Sequence, residues 1–361
     1  MMLENGQTEC NCKKKKCVRY GDCEECIKHH KNSNRPPYCK RDKKPKKDDA
    51  GDNAYSDILD NSIKTLFSNA LKIMLENPSY ASFMMKTAAW QRKASKIRLK
   101  WEREGIHVPP FLITSITDKC NLKCKGCYAQ AHRKANANEM DINRIRDLFG
   151  EASELGISII LIAGGEPLVR KEILKAANEF PKIVFPIFTN GLLIDEDMIK
   201  QFKKQKNTVP VISLEGYENN TDERRGTGVH EGVSKAIRSL GEKNIFFGVS
   251  ITVTRSNYDA VMSDEFVHEL VEQGCKLFFY VEYVPVNEST EELVITDYQR
   301  SKIVSLTDRM QSNFQALFIA FPGDEEKFGG CLAAGRGFVH IDPAGNIEPC
   351  PFSPFSDANI Q

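Results

Sequence analysis

The feature that most constrains this chain is Cys120-Asn121-Leu122-Lys123-Cys124-Lys125-Gly126-Cys127-Tyr128, three cysteines spaced C-x3-C-x2-C. It follows the apolar run Phe111-Leu112-Ile113-Thr114-Ser115-Ile116, so a strand delivers a tight loop that carries three thiolates. Soft thiolates select zinc, copper(I) or iron–sulfur clusters. A cubane cluster normally takes four cysteines. Three in one loop, with no fourth close by, suggest a cluster with one iron open to a substrate or cofactor. A zinc knuckle and three unrelated buried thiols are the other readings of the spacing.

The motif resembles that of the radical S-adenosylmethionine (radical SAM) enzymes, whose open iron binds the amino and carboxylate groups of AdoMet. The resemblance implies Cys120, Cys124 and Cys127 as the ligands of a [4Fe-4S] cluster. One detail departs from the commonest pattern. An aromatic residue usually precedes the third cysteine, and here that position is Gly126, with Tyr128 following instead. Glycine leaves less shielding beside the adenine, removes no ligand, and puts Tyr128 among the candidate cofactor contacts.

From Val108 the pattern alternates. Strands are expected at 111–116, 157–163, 183–188, 209–214, 246–253 and 277–284. Amphipathic helices are expected at 141–154, 170–179, 195–205, 230–242, 258–272 and 296–313. Such alternation argues for an α/β fold with a parallel sheet under covering helices. The resemblance, which covers about 108–320, implies a partial (β/α)6 barrel. Ligands collect at the carboxyl ends of strands in such sheets, and the special residues fall there. Gly164-Gly165-Glu166-Pro167 follows the second strand. Two glycines let the backbone approach a ligand closely, and the resemblance implies a grip on the methionine amino group. Thr189-Asn190-Gly191 follows the third strand and resembles the family's third contact loop. Ser213-Leu214-Glu215-Gly216 follows the fourth, with Ser213 expected near the ribose or substrate. Arg225, in the stretch Asp222–Gly228, is a bidentate candidate for the AdoMet carboxylate or a surface ion pair. On the fifth strand Ser250 and Thr252 are expected to face opposite sides, with one reaching the ribose. Phe278, Phe279, Tyr280 and Tyr283 are read as cavity lining or core, and Cys275 as a buried small hydrophobe.

Residues 1–40 hold Cys10, Cys12, Cys17, Cys23, Cys26, His29, His30 and Cys39. A segment this small needs a metal or disulfide staple to fold, and Cys23-x2-Cys26-x2-His29 suits zinc. A second iron–sulfur cluster and a lysine-rich tail with unligated thiols compete with zinc. Residues 41–53 read as a charged linker and 54–107 as a helical extension, broken at Asn77-Pro78. The C-terminal part, 321–361, contains Cys331 and Cys350. It resembles the opening of the SPASM or twitch extension of radical SAM enzymes, which binds an auxiliary cluster. Two cysteines cannot complete a four-thiolate site, so an incomplete cluster, a structural hairpin and a shortened chain stay open.

The net charge of +1 gives no global field toward nucleic acid or acidic membranes. No apolar run reaches the ~20 residues of a membrane span, and the polar N-terminus does not read as a signal peptide. Twelve cysteines without a secretory signal favour metal binding in a reducing cytoplasm, expected to be that of an anaerobe. The resemblance implies reductive cleavage of AdoMet to a 5′-deoxyadenosyl radical that takes hydrogen from a small-molecule or peptide substrate, in cofactor biosynthesis or peptide modification. It also implies an electron donor such as ferredoxin or flavodoxin. Two other classes were weighed. A non-catalytic iron–sulfur carrier needs none of the strand-end motifs. A zinc-dependent nucleic-acid binder needs aromatics among its lysines, and those are nearly absent.

Overall fold

The computed structural model describes residues 18–20, 22–31, 62–71, 73, 78–132, 138–286, 290–321 and 330–361. The chain divides into two compact units, Met1–Asp57 and Ile58–Gln361. In the first, a helix runs Cys23–Lys31, with Glu24 and Glu25 in its first turn and Lys28 to Lys31 in its last, as the helix dipole favours. The Asp22 carboxylate accepts from the Glu25 amide at 3.0 Å. Cys23, Cys26, His29 and His30 therefore lie on a helix. Cys10, Cys12, Cys17, Cys39 and the linker 41–53 lie outside the described residues.

In the second unit the described residues form one nine-stranded sheet, in the order β7-β6-β5-β4-β3-β2-β1-β8-β9. The strands are β1 Phe111–Ser115, β2 Ile159–Ala163, β3 Phe185–Thr189, β4 Thr208–Leu214, β5 Gly248–Val253, β6 Leu277–Glu282, β7 Leu317–Phe321, β8 Phe338–Ile341 and β9 Ile347–Glu348. β1 to β8 pair in parallel and β9 antiparallel to β8. The sheet curls until the Phe321 ring of β7 lies 5.5 Å from Phe338 of β8. This is a half-barrel. It confirms the expected partial barrel and extends it by β7 and by the C-terminal β8–β9 hairpin, which docks on β1.

Strand residues alternate between the two faces. Outward-facing Leu112, Ile160, Ile162, Ile212 and Ile251 join Ile145, Phe149, Phe202, Val233 and Ile237 of the covering helices in one core. Inward-facing Ile113, Leu161, Phe188, Phe279, Val281 and Ile319 line a lumen. The helices start where caps are supplied. Asp141 accepts from the Asn143 and Arg144 amides, Asp195 from Met198, and Thr296 forms a capping box with Gln299. One expectation is corrected. The single helix at 258–272 is two, Tyr258–Val261 and Asp264–Glu272, because Ser263 leaves helical geometry and caps the second through the Phe266 amide. A helix not read from the sequence, Glu218–Arg225, carries the arginines of the Asp222–Gly228 stretch.

Below the sheet, helical residues 62–71 and the helix Pro78–Arg103 close the amino ends of the strands, where Ile63, Phe67, Tyr80 and Met84 reach the lumen. The Tyr80 hydroxyl accepts from the Phe246 amide at 2.8 Å, and Ser158 Oγ donates to Gln91 Oε1 at 2.6 Å. No helix among the described residues is long and apolar enough to cross a membrane.

Candidate active site

The loop that carries the three cysteines is held from below by backbone bonds. The amide of Ile116 donates to Ala163 O at 3.1 Å, Gly165 to Thr117 O at 2.7 Å, and Glu166 to Lys119 O at 2.8 Å. Gly164 and Gly165 are glycines for that reason. A Cβ at Gly164, whose φ is +127°, would lie 2.5 Å from Thr117 O. A Cβ at Gly165 would lie 2.7 Å from the carbonyl carbon of Lys119. The close approach these glycines permit is thus first to the cysteine loop, and both also border the lumen. Glu139, which the sequence reading passed over, accepts from Thr117 Oγ1 and from the Asp118 amide at 2.8 Å each.

Glu166 is 1% exposed. Its Oε1 accepts from the Leu168 amide at 2.9 Å and from Thr189 Oγ1 at 2.7 Å, and its Oε2 from the Asn190 amide at 2.7 Å. Burial pushes its carboxyl above the usual range while these donors pull it back. Pro167 opens the 3-10 turn that Glu166 caps. Asn190 carries the tie onward, since its Nδ2 donates to Asn121 Oδ1 at 2.7 Å. The second and third strand-end motifs therefore form one network that ends on the cysteine loop.

At the end of β4 the Glu215 carboxylate, 1% exposed, takes both Arg224 and Arg225 on Oε1, with Arg225 Nε at 2.9 Å and Nη2 at 2.6 Å. Arg225 is therefore in a buried ion pair, not a surface one. The Arg224 carbonyl accepts from the Lys125 amide at 2.8 Å, between the second and third cysteines. All three cysteines are half-buried. Burial raises the Cys124 thiol, and the Arg225 and Arg224 charges oppose that rise. Two guanidinium groups therefore stand behind Cys124, both paired with one carboxylate.

Above the loop, Tyr128 stands edge-on to Phe352, with ring centroids 5.1 Å apart. Burial raises its hydroxyl, with Cys127 and Cys350 beside it. Leu332, Pro351 and Phe352 of the C-terminal segment reach the same cavity. Cys350 is half-buried and Cys331 exposed. The Ala334 amide donates to Pro349 O at 3.0 Å, which ties the two turns together. Ser213, Ser250 and Thr252 border the lumen. Ser213 pairs in register with Ser250. Ser250 and Thr252 share one face, contrary to expectation, because residues two apart in a strand point the same way.

The cavity bounded by these groups is about 520 Å³. It has the three cysteines, Asn190 and both arginines at its mouth and Ile113, Leu161, Phe188, Phe279 and Ile319 along its shaft. Cys275, by contrast, is wholly buried in the core, where burial pushes its thiol up to about 12.

The comparisons agree with this geometry. The family model described as the radical SAM superfamily matches residues 114–267. The Fe-coproporphyrin III synthase of Methanosarcina barkeri is 32% identical over 151 residues, which are 41% of this chain and 38% of the relative. The chain thus spans well under half of that relative's length. The AdoMet-dependent heme synthase of the same organism is 24% identical over 71% of this chain and 80% of its own. Among solved structures, Streptococcus suis SuiB bound to S-adenosylmethionine superposes with a TM-score of 0.58 at 22% identity, over 74% of this chain and 65% of SuiB. The family match begins on the strand before the three cysteines and runs through the strand-end motifs that brace them, so that residues 114–267 of this chain form a radical SAM superfamily domain.

Proposed function

We propose that the chain is an enzyme that binds a [4Fe-4S] cluster on Cys120, Cys124 and Cys127 and cleaves AdoMet there. The observation that carries this reading is the placement of three half-buried thiols at the mouth of a large apolar cavity. The donor set fits the group, since three thiolates serve three irons of a cubane and leave the fourth open. A cluster held by these three thiolates would supply the one-electron reduction needed to cleave AdoMet. The chain's own residues orient and shield. Asn190 and Glu166 keep the loop in place, Arg225 offers positive charge to a carboxylate, and Ser213, Ser250 and Thr252 offer hydroxyls beside it.

For the substrate we infer a largely apolar small molecule that bears carboxylates, of the tetrapyrrole class. The cavity is within the ~300–1,000 Å³ of ligand sites, its shaft is apolar, and its mouth carries two guanidinium groups that can meet a carboxylate. Two relatives are named for coproporphyrin and heme synthesis. A low-potential one-electron donor of the ferredoxin or flavodoxin class completes the reading. The test is anaerobic. The full chain is reconstituted with iron and sulfide, reduced with dithionite and given AdoMet, with and without iron coproporphyrin III. The expected result is about four irons per chain, with 5′-deoxyadenosine and methionine whose formation the porphyrin accelerates. A reduced cluster that never cleaves AdoMet overturns the enzyme, and cleavage that only peptides accelerate overturns the substrate.

A further inference from the structure

Tyr283 follows β6 and borders the cavity, yet it is 3% exposed. Its hydroxyl is buried and has no hydrogen-bond partner among the described residues. Buried polar groups are rarely left so, and each one calls for an explanation. The ring lies on the cysteine loop. A Cβ built on Gly126, whose φ is +66°, would meet Tyr283 Cε2 and Cζ at 2.9 Å and would also strike the hydroxyl oxygen. The Lys125 amide of that loop is already committed to Arg224 O, and a phenol O–H needs an acceptor. The electron-rich acceptors that Gly126 separates are the sulfurs of Cys124 and Cys127 and whatever they carry. Tyr283 is fixed in place, because its own amide donates to Val253 O at 3.0 Å.

We propose that Tyr283 donates its phenolic hydrogen to a sulfur of the cluster held by this loop, and that Gly126 is glycine so that this ring can lie there. The inference rests on the reading that Cys120, Cys124 and Cys127 hold a cluster. Hydrogen bonds to cluster sulfur stabilise the more negative, reduced state and raise the reduction potential. Tyr283 is then a positioning and tuning residue, supplied from the far end of the barrel rather than from the loop.

The test compares wild type with Tyr283→Phe as the full, anaerobically reconstituted chain, first without AdoMet and then in an AdoMet binding titration. Iron per chain is counted and the midpoint potential is read by titration followed by electron paramagnetic resonance. The expected result is equal iron and a more negative potential in the variant. The cluster-free variant melts at the same or a higher temperature, because it loses only an unpartnered hydroxyl. Gly126→Ala, which pushes the ring away and keeps the phenol, shifts the potential in the same direction. An unchanged potential at equal iron overturns the proposal and leaves the cluster reading standing. An unchanged potential with several-fold weaker AdoMet binding also overturns it, because the acceptor is then AdoMet. Wild type without iron overturns both.

Discussion

Gly165 is pressed against the peptide of Lys119, so close that a Cβ would lie 2.7 Å from the Lys119 carbonyl carbon and 2.9 Å from Asp118 O. The neighbours are backbone and cannot swing aside. Gly165→Ala should therefore push the cysteine loop off the end of β2. Overpacking of this kind costs about 1–3 kcal/mol. The expected outcome is a lower melting temperature and reduced iron occupancy, measured on the same reconstituted sample. Full iron at unchanged stability would show that the contact is slack.

Cys124→Ala tests the ligand assignment. The side chain is half-buried and the loop is held mainly by backbone bonds, so truncation should leave the circular dichroism of the cluster-free protein unchanged. Iron retention as a cubane and all 5′-deoxyadenosine formation should be lost. An active variant would refute the assignment.

Glu215 is the sole carboxylate that Arg224 and Arg225 are seen to share. Removing one partner of a buried ion pair strands the others, at about 3–5 kcal/mol. Glu215→Gln should destabilise the protein by that order in urea titrations. It should also loosen the Lys125 contact, and so lower cluster yield. A loss under about 1 kcal/mol would mean that solvent reaches the pair.

Much of this was legible in the chain. The strands β1 to β6 alternate with amphipathic helices, and the glycine, asparagine and arginine motifs follow them in order. What was not legible depends on tertiary contacts. The helix Glu218–Arg225 has one buried residue, Thr221, and so no apolar periodicity to announce it. β7 is a short apolar run that could have been a buried helix segment as easily as a strand. The pairing of Gly126 with Tyr283 joins two distant parts of the chain, so the glycine looked like a missing aromatic and the tyrosine like ordinary core. Glu139 carried no motif at all, and only the fold brings it beneath Thr117.

Asp222 should give the stability a defined acid limb. Its carboxylate accepts from the Gly228 amide at 2.6 Å and the His230 amide at 2.8 Å. These bonds hold its carboxyl below the usual range. A depressed folded-state value means stability that is full above the unfolded value of about 3.9 and lost as pH falls through the folded one. Asp222→Asn should cost about 1 kcal/mol at neutral pH and flatten the decline as pH falls through that window. Parallel acid limbs in urea titrations of the two cluster-free proteins would contradict this.

The lumen itself is open to test through Leu161, which lies half-buried at the middle of β2 and points into the shaft. Empty apolar volume has no partner atoms on one side, so an added side chain there gains contacts rather than displacing packed neighbours. Leu161→Trp should therefore hold or raise the melting temperature, unlike a large residue forced into a filled core. If the substrate's apolar body occupies the shaft, the same change excludes it, and each 1.4 kcal/mol of lost contact is tenfold in affinity. The expected outcome is a KM for the accelerating substrate raised about tenfold or more at unchanged iron. A variant that is equally stable, fully loaded and unchanged in KM would move the substrate out of the shaft and onto the rim formed by Tyr128, Leu332 and Phe352.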